Sequence, residues 1–193
     1  MIPKKASKLF LIPALVGIFF IILFSISVIT LWRSSRINFD ELIHQEVMQL
    51  KETFERIQHD CYIYNFEHER NYIDFLNVVK FSNSHVGSME LGFPQNWKGP
   101  YLKKNPRIQN KLYTVLKNKQ GYFIVPGDGI RLANGKVIGK DLVLDKNSDM
   151  KHLMFDFNGL ASSVGVLAAE IKIGSEFVKN MTQYKWEMLS AMD

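Results

Sequence analysis

Three oxygen-bearing side chains alternate in the segment Asp145-Lys146-Asn147-Ser148-Asp149. A calcium-binding loop begins this way, because a hard cation collects oxygens from alternate positions of a turning chain. The pattern departs from an EF-hand. Its sixth position is Met150, where the sharp turn needs glycine, and its twelfth is Asp156, where a bidentate glutamate is usual. Asp145, Asn147 and Asp149 are therefore candidate metal ligands of an irregular calcium loop, with Asp128 or Asp141 as further oxygen donors. The plainer reading is a solvated polar loop and no cofactor.

The other chemistry-bearing residues form no catalytic signature. His44, His59, His68, His85 and His152 contain no His-x3-His pair. His59 and His68 together would still need two more ligands to hold zinc. There is no Gly-x-Ser-x-Gly, Gly-x4-Gly-Lys-Ser/Thr or Cys-x-x-Cys. Gly127-Asp128-Gly129 reads as a turn rather than a phosphate loop, since the aspartate would repel phosphate. The single cysteine, Cys61, excludes an intramolecular disulfide and falls on an apolar helical face, where it serves as a small buried hydrophobe.

Seven basic residues and no acid lie between Lys98 and Lys119, interleaved with Tyr101 and Tyr113 and preceded by Trp97. Basic groups with aromatics suit single-stranded nucleic acid, and equally the acidic surface of a neighbouring subunit. Net charge argues against nucleic acid. Of the 24 Lys and Arg, five lie in residues 1–37, which hold no acid; residues 38–193 carry 19 of each sign. The formal excess of +5 therefore flanks one segment, and the rest of the chain is neutral.

That segment is the uncharged run Leu9–Trp32, bracketed by Lys4, Lys5 and Lys8 before it and Arg33 and Arg36 after it. About 20 apolar residues cross the hydrocarbon of a bilayer. The chain is expected to divide into a basic cytoplasmic segment (1–8), a transmembrane helix (9–32), an amphipathic helix (33–65) and an extracytoplasmic α+β domain (66–193). The basic bias predicts a cytoplasmic N-terminus and an external domain. A secretory signal cut after Ser25-Ile26-Ser27 is the competing reading, but the apolar run continues through Val28–Trp32.

Beyond the span, Phe39, Ile43, Val47, Leu50, Phe54, Ile57 and Cys61 step by three or four and predict an amphipathic helix. Asn38 is its expected cap, with Glu41 three residues on, and Glu52–Arg56 its expected i,i+4 pair. With no proline between residues 14 and 93, the two helices can form one rod. Helix is expected to about Asn65, with a second helix from Glu69 to Val79. Residues 82–111 read as loop. Leu112–Leu116 and Tyr122–Val125 flank the turn Asn118-Lys119-Gln120-Gly121 and predict an antiparallel hairpin. Asn134-Gly135 predicts a second turn, between Ile130–Leu132 and Val137-Ile138. Leu142–Leu144 is a further candidate strand, and Ser175–Met192 has helical spacing.

This order of parts, with Trp97-Lys98-Gly99-Pro100-Tyr101-Leu102 between helix and strands, resembles the type IV pilin-like superfamily, especially the pseudopilins of type II secretion. In those proteins a Gly-Pro-Tyr-Ile/Leu segment follows the long helix, and here Gly99, Pro100, Tyr101 and Leu102 match it. The resemblance covers about residues 9–150. Two family features are absent: the Gly-Phe cleavage site, where Ala6-Ser7-Lys8-Leu9-Phe10 stands, and the early glutamate, since no acid precedes Asp40.

The resemblance implies an α+β fold, with the N-terminal transmembrane helix continuing into a long amphipathic helix packed on a small antiparallel sheet. It implies a non-enzymatic assembly component of an envelope secretion or pilus machine, held in the bacterial inner membrane with its domain in the periplasm. Its partners would be the membrane and other pilin-like or secretion-machine subunits. Gly17 and Ser25 are candidate close-approach positions within the bilayer, and Trp97, Tyr101, Lys103 and Lys104 candidate contacts outside it. The alternative is a single-pass anchored binding or sensor domain.

Overall fold

The computed structural model describes residues 6–174. The fold is α+β. Helix α1 runs unbroken through 56 residues, Ala6–Cys61, a rod of roughly 84 Å at 1.5 Å per residue. It passes through Pro13 near its start, where one lost N–H bond is a local defect. Within it, Pro13–Leu31 is long and apolar enough to cross a membrane, and none of it is buried.

The backbone is already helical well before Asn38, so no helix begins there to be capped. The buried stripe also starts one residue later than expected. Asp40 is buried and Phe39 is exposed, followed by buried Ile43, Val47, Leu50, Phe54, Ile57 and Cys61. Their spacing of three and four keeps one face inward while the helix turns. The Lys51 ammonium lies 4.0 Å from Glu55, and the Arg56 guanidinium donates to Thr53 Oγ1 at 3.3 Å rather than pairing with Glu52.

The expected helix to Asn65 stops four residues early. Tyr62 takes a left-handed φ of 54°, which turns the chain out of the helix. The Gln58 side chain then accepts the Ile63 N–H at 2.9 Å, and strand β1 (Ile63–Phe66) begins. The expected helix over 69–79 is also absent. In its place, β2 (Arg70–Tyr72) pairs with a later strand, and residues 73–78 form an irregular run. Asn105 substitutes for helical bonds there: its Oδ1 accepts the Leu76 N–H at 3.0 Å and its Nδ2 donates to the Asp74 carbonyl.

Residues 82–111 hold more order than a loop. They contain β3 (His85–Val86), β4 (Met89–Leu91), a single 3-10 turn at Pro94–Asn96, and β5 (Arg107–Ile108). The expected hairpin is present as β6 (Lys111–Asn118) and β7 (Gly121–Pro126), with Val115 opposite Ile124 and Asn118 opposite Gly121. Asn134-Gly135 does make a tight turn, closed by a single antiparallel bridge from Arg131 to Val137. Leu142 makes only a parallel bridge to Ile138, so Leu142–Leu144 is not a strand.

Next come α2 (Met150–Leu153), β8 (Ala161–Ser162), β9 (Gly165–Val166) and β10 (Ala169–Ile171). The main sheet has the order β10-β7-β6-β2, with β5 also on β6. A second sheet is ordered β1-β4-β3, and β8-β9 stand apart. All strand pairs are antiparallel. The expected helix Ser175–Met192 lies outside the described residues.

One hydrophobic cluster contains the buried stripe of α1 together with Phe66, Phe75, Val115, Ile124 and Ile171. Phe54 meets the edges of Phe66 and Phe75 at centroid distances of 6.0 and 6.3 Å. Each such side chain withdrawn from water is worth roughly 1.5–3 kcal/mol, so this cluster does most to hold the described residues together.

Candidate functional site

The chemistry-bearing side chains are distributed along α1. At Asp40, the carboxylate Oδ1 accepts the Ala133 N–H at 3.0 Å. One turn on, His44 Nδ1 lies 2.7 Å from the Val166 carbonyl oxygen. Gly165, at φ 141°, lets the β8-β9 turn come close: a Cβ there would sit 2.6 Å from His44 Cε1.

Further along, Glu46 faces Tyr113 of β6. Tyr113 is fully buried, and neither its hydroxyl nor Glu46 Oε2 makes a well-formed hydrogen bond. Burial holds the Glu46 carboxyl above its ordinary range, outweighing the neighbouring tyrosine hydroxyl, which pulls it down. Burial and the adjacent carboxylate together push the Tyr113 hydroxyl well above its own. Both effects penalise the charged forms.

At the far end of α1, Asp60 gathers polar partners. Lys98 Nζ donates to Asp60 Oδ1 at 2.9 Å and His59 Nδ1 lies 3.2 Å away. The Lys98 bond, then His59, holds the Asp60 carboxyl below its usual value. Cys61 Sγ is 3.9 Å from Tyr101 Oη. Burial raises both the Cys61 thiol and the Tyr101 hydroxyl. A buried thiol shifted upward is the reverse of an activated nucleophile, which fits a packing role for Cys61.

Trp97 and Tyr101 are partly buried and belong largely to the molecule's own packing. Trp97 meets Phe81 at 5.3 Å and Tyr101 at 4.8 Å, both edge to face, and its Nε1 donates to the Val78 carbonyl at 3.1 Å. Lys103 and Lys104 are exposed beside them. Gly17 and Ser25 lie in the apolar part of α1, with open space at Gly17. Ser25 Oγ donates back to the Ile21 carbonyl at 2.8 Å. Eight positions exceed two helical turns, so the two residues sit about 80° apart around the rod.

Asp145 and Asp149 both carry local hydrogen bonds. Asp145 Oδ1 accepts Asn147 N–H at 2.8 Å and Ser148 Oγ at 3.1 Å. Asp149 caps α2, accepting His152 N–H at 3.1 Å, and also accepts Gln120 Nε2 at 2.8 Å. These donors hold both carboxyls below their usual value. Among the described residues, no group of three His, Cys, Asp or Glu is gathered to hold a metal ion.

No protein-family model, curated protein or solved structure matches this chain.

The described residues include a groove and a cavity. A groove of about 740 Å³ runs along α1 between Glu52, Glu55, Arg56, His59 and Asp60. A cavity of about 360 Å³ is lined by Tyr72, Arg107, Asn110, Lys111, Leu112 and Asp128. Its rim is the β5-β6 turn, where Gln109 and Asn110 both take left-handed φ, at 48° and 60°, as a two-residue hairpin with matching twist requires. Asp128 is already engaged by Arg70 at 2.6 Å. No motif singles out Asp40, Glu46 or this cavity. A signal for Asp40 does exist, because it falls three residues before Ile43 on the buried stripe.

Proposed function

We propose that this chain is a membrane-anchored, non-enzymatic assembly component, pseudopilin-like in its arrangement of parts. Its anchor packs against neighbours in the bilayer, and its outer domain supplies lateral contacts. The observation that carries the reading is the continuity of α1. One helix joins a wholly exposed apolar segment, Pro13–Leu31, to a stripe whose residues are buried with those of the sheet. Exposed apolar side chains there need lipid or other helices as cover. A rod laid along a sheet would transmit force and position from anchor to domain without a joint.

Within this reading the chain sits in a bacterial inner membrane with its domain in the periplasm. Gly17 provides a close-approach point for another helix, and Lys103 and Lys104 meet an acidic neighbour. The decisive experiment is intact mass and N-terminal sequencing of the protein from its native membrane, combined with cross-linking from Gly17→Cys. A chain trimmed near residues 7–10 that cross-links to pilin-like subunits supports the reading. A start at Val28 excludes it.

A second reading, an anchored binding domain, draws on the 360 Å³ cavity. Arg107 and Lys111 line it, and neither has a carboxylate partner among the described residues. A small anion is its natural ligand. A stable isolated domain that binds one without neighbours would favour this reading.

A further inference from the structure

The two most exposed large hydrophobic side chains outside the apolar segment of α1, among the described residues, are Phe155 at 82 % and Phe157 at 67 %. Their loop is held in place by its own backbone bonds. Phe155 N–H and Asp156 N–H donate to the His152 carbonyl at 3.0 and 3.1 Å, Gly159 N–H to the Asp156 carbonyl at 2.8 Å, and Leu160 N–H to the Leu153 carbonyl at 2.7 Å. Two phenylalanines presented outward on a fixed loop are an apolar surface awaiting cover.

Position along α1 tells what covers it. The loop is tied to the turn that Asp40 holds: Asn134 Nδ2 donates to the Phe157 carbonyl at 3.1 Å, and Lys136 Nζ to the Asn158 carbonyl at 2.6 Å. Asp40 accepts the N–H of Ala133, next to Asn134. Asp40 is nine residues beyond Leu31, the last residue of the apolar segment, about 13 Å along the rod. The headgroup layer itself occupies roughly 5–8 Å beyond the hydrocarbon. A tilt of about 20°, ordinary for a membrane helix, lowers one side of the domain toward that layer.

Phe39 and Leu42, both exposed, lie on α1 within two residues of Asp40. Lys136 and Lys151 lie at the edges of the loop, and Asp156, half-buried between the two phenylalanines, accepts the Asn158 N–H. Aromatic rings edged by lysines suit a membrane interface, with rings at the acyl boundary and cations among the headgroups.

We infer that the Phe155–Phe157 loop is a second membrane contact, seated in the headgroup layer of the bilayer that α1 crosses. The inference rests on reading α1 as an anchor. Trp97, Lys98 and Asp60 then form the opposite pole, because Asp60 lies about 30 Å further along the rod from Asp40.

The test uses the full chain in vesicles of phosphatidylcholine with a minority of phosphatidylglycerol. An environment-sensitive fluorophore is placed on cysteine in Phe157→Cys, Phe20→Cys and Val79→Cys. Unsubstituted protein, whose only thiol is buried, sets the background. Lipids carrying a nitroxide near the headgroup or deep in the chains are the quenchers. The label at 157 should lose most of its emission to the shallow quencher, and the label at 20 to the deep one. The label at 79, near Trp97, should be unaffected. Quenching at 20 without quenching at 157 overturns the second contact and leaves the anchor intact; a protein then covers the phenylalanines. No quenching at 20 overturns the anchor itself. Equal quenching at 157 and 79 also overturns the inference, since the domain would have no membrane-facing pole.

Discussion

Asp40, on the shaft of α1, accepts the backbone N–H of Ala133 at 3.0 Å across 93 residues of chain, and its side chain is enclosed. This bond ties the Asn134-Gly135 turn to the helix. Asp40→Ala should lower the unfolding free energy by roughly 1–3 kcal/mol, because a part-buried N–H loses its hydrogen bond to an enclosed carboxylate. Asp40→Asn keeps an acceptor oxygen and should lose less. Urea unfolding of the detergent-solubilised chain, followed by tryptophan fluorescence, measures both. Equal stability of Asp40→Ala and wild type would show that the bond adds nothing to the fold.

Glu46 gives a pH dependence of unusual sign. Its carboxyl titrates above the ordinary 4.5 because it is enclosed beside Tyr113. Between the unfolded and folded values the native state holds a proton that the unfolded state has released. Stability contributed by protonated Glu46 is thus complete below about 4.5 and lost as pH rises through the folded value. Glu46→Gln should therefore gain on wild type as the solution is brought from acid to neutral pH. A stability difference independent of pH would show that the carboxyl is not shifted.

Trp97 and the lysines beside it should separate structure from contact. Trp97→Ala removes two edge-to-face ring contacts and a hydrogen bond. It should cost about 2–4 kcal/mol, somewhat under the range for a fully buried tryptophan. Lys103→Glu with Lys104→Glu should change stability by less than about 0.5 kcal/mol, as surface substitutions do. The double variant should nevertheless lose cross-links to neighbours. If its cross-linking matches wild type, the basic loop does not face a partner.

The Asp145–Asp149 loop predicts two responses. Both carboxyls are held below the ordinary 3.8 by their hydrogen bonds. Their contribution is complete above that value and disappears as pH falls through the lower folded ones. Calcium must displace these same bonds, so stabilisation by the ion should appear only at about 10⁻⁴–10⁻³ M and vanish in Asp145→Asn. A response at micromolar calcium, read as a rise in unfolding temperature, would contradict the capping geometry.

The parts legible in the sequence are those governed by one strong local rule. The uncharged run, the stripe from Ile43 to Cys61 and the hairpin around Asn118–Gly121 each follow from periodicity or turn chemistry. The failures lie where distant residues decide. Nothing local to residues 70–72 announces a strand; β6 supplies their hydrogen bonds from more than 40 residues away. Tyr62 ends α1 in a conformation usually given to glycine, so no stop signal is visible. The charge of Asp40 points to the polar face of the helix, though its spacing belongs to the buried one.

The unbroken length of α1 also makes azimuth a transmitted quantity. Each residue of helix advances the chain by 1.5 Å and turns it by 100°. Whatever grips the face around Gly17 therefore also decides which side of the outer domain points toward it, some thirty residues away. One alanine inserted between Leu31 and Phe39 would leave every contact in the core intact and swing the domain about its own axis by more than a quarter turn. Under the proposed anchoring, α1 would work as an indexing shaft, and a partner that rotated or lifted it would move Trp97 by a proportionate amount.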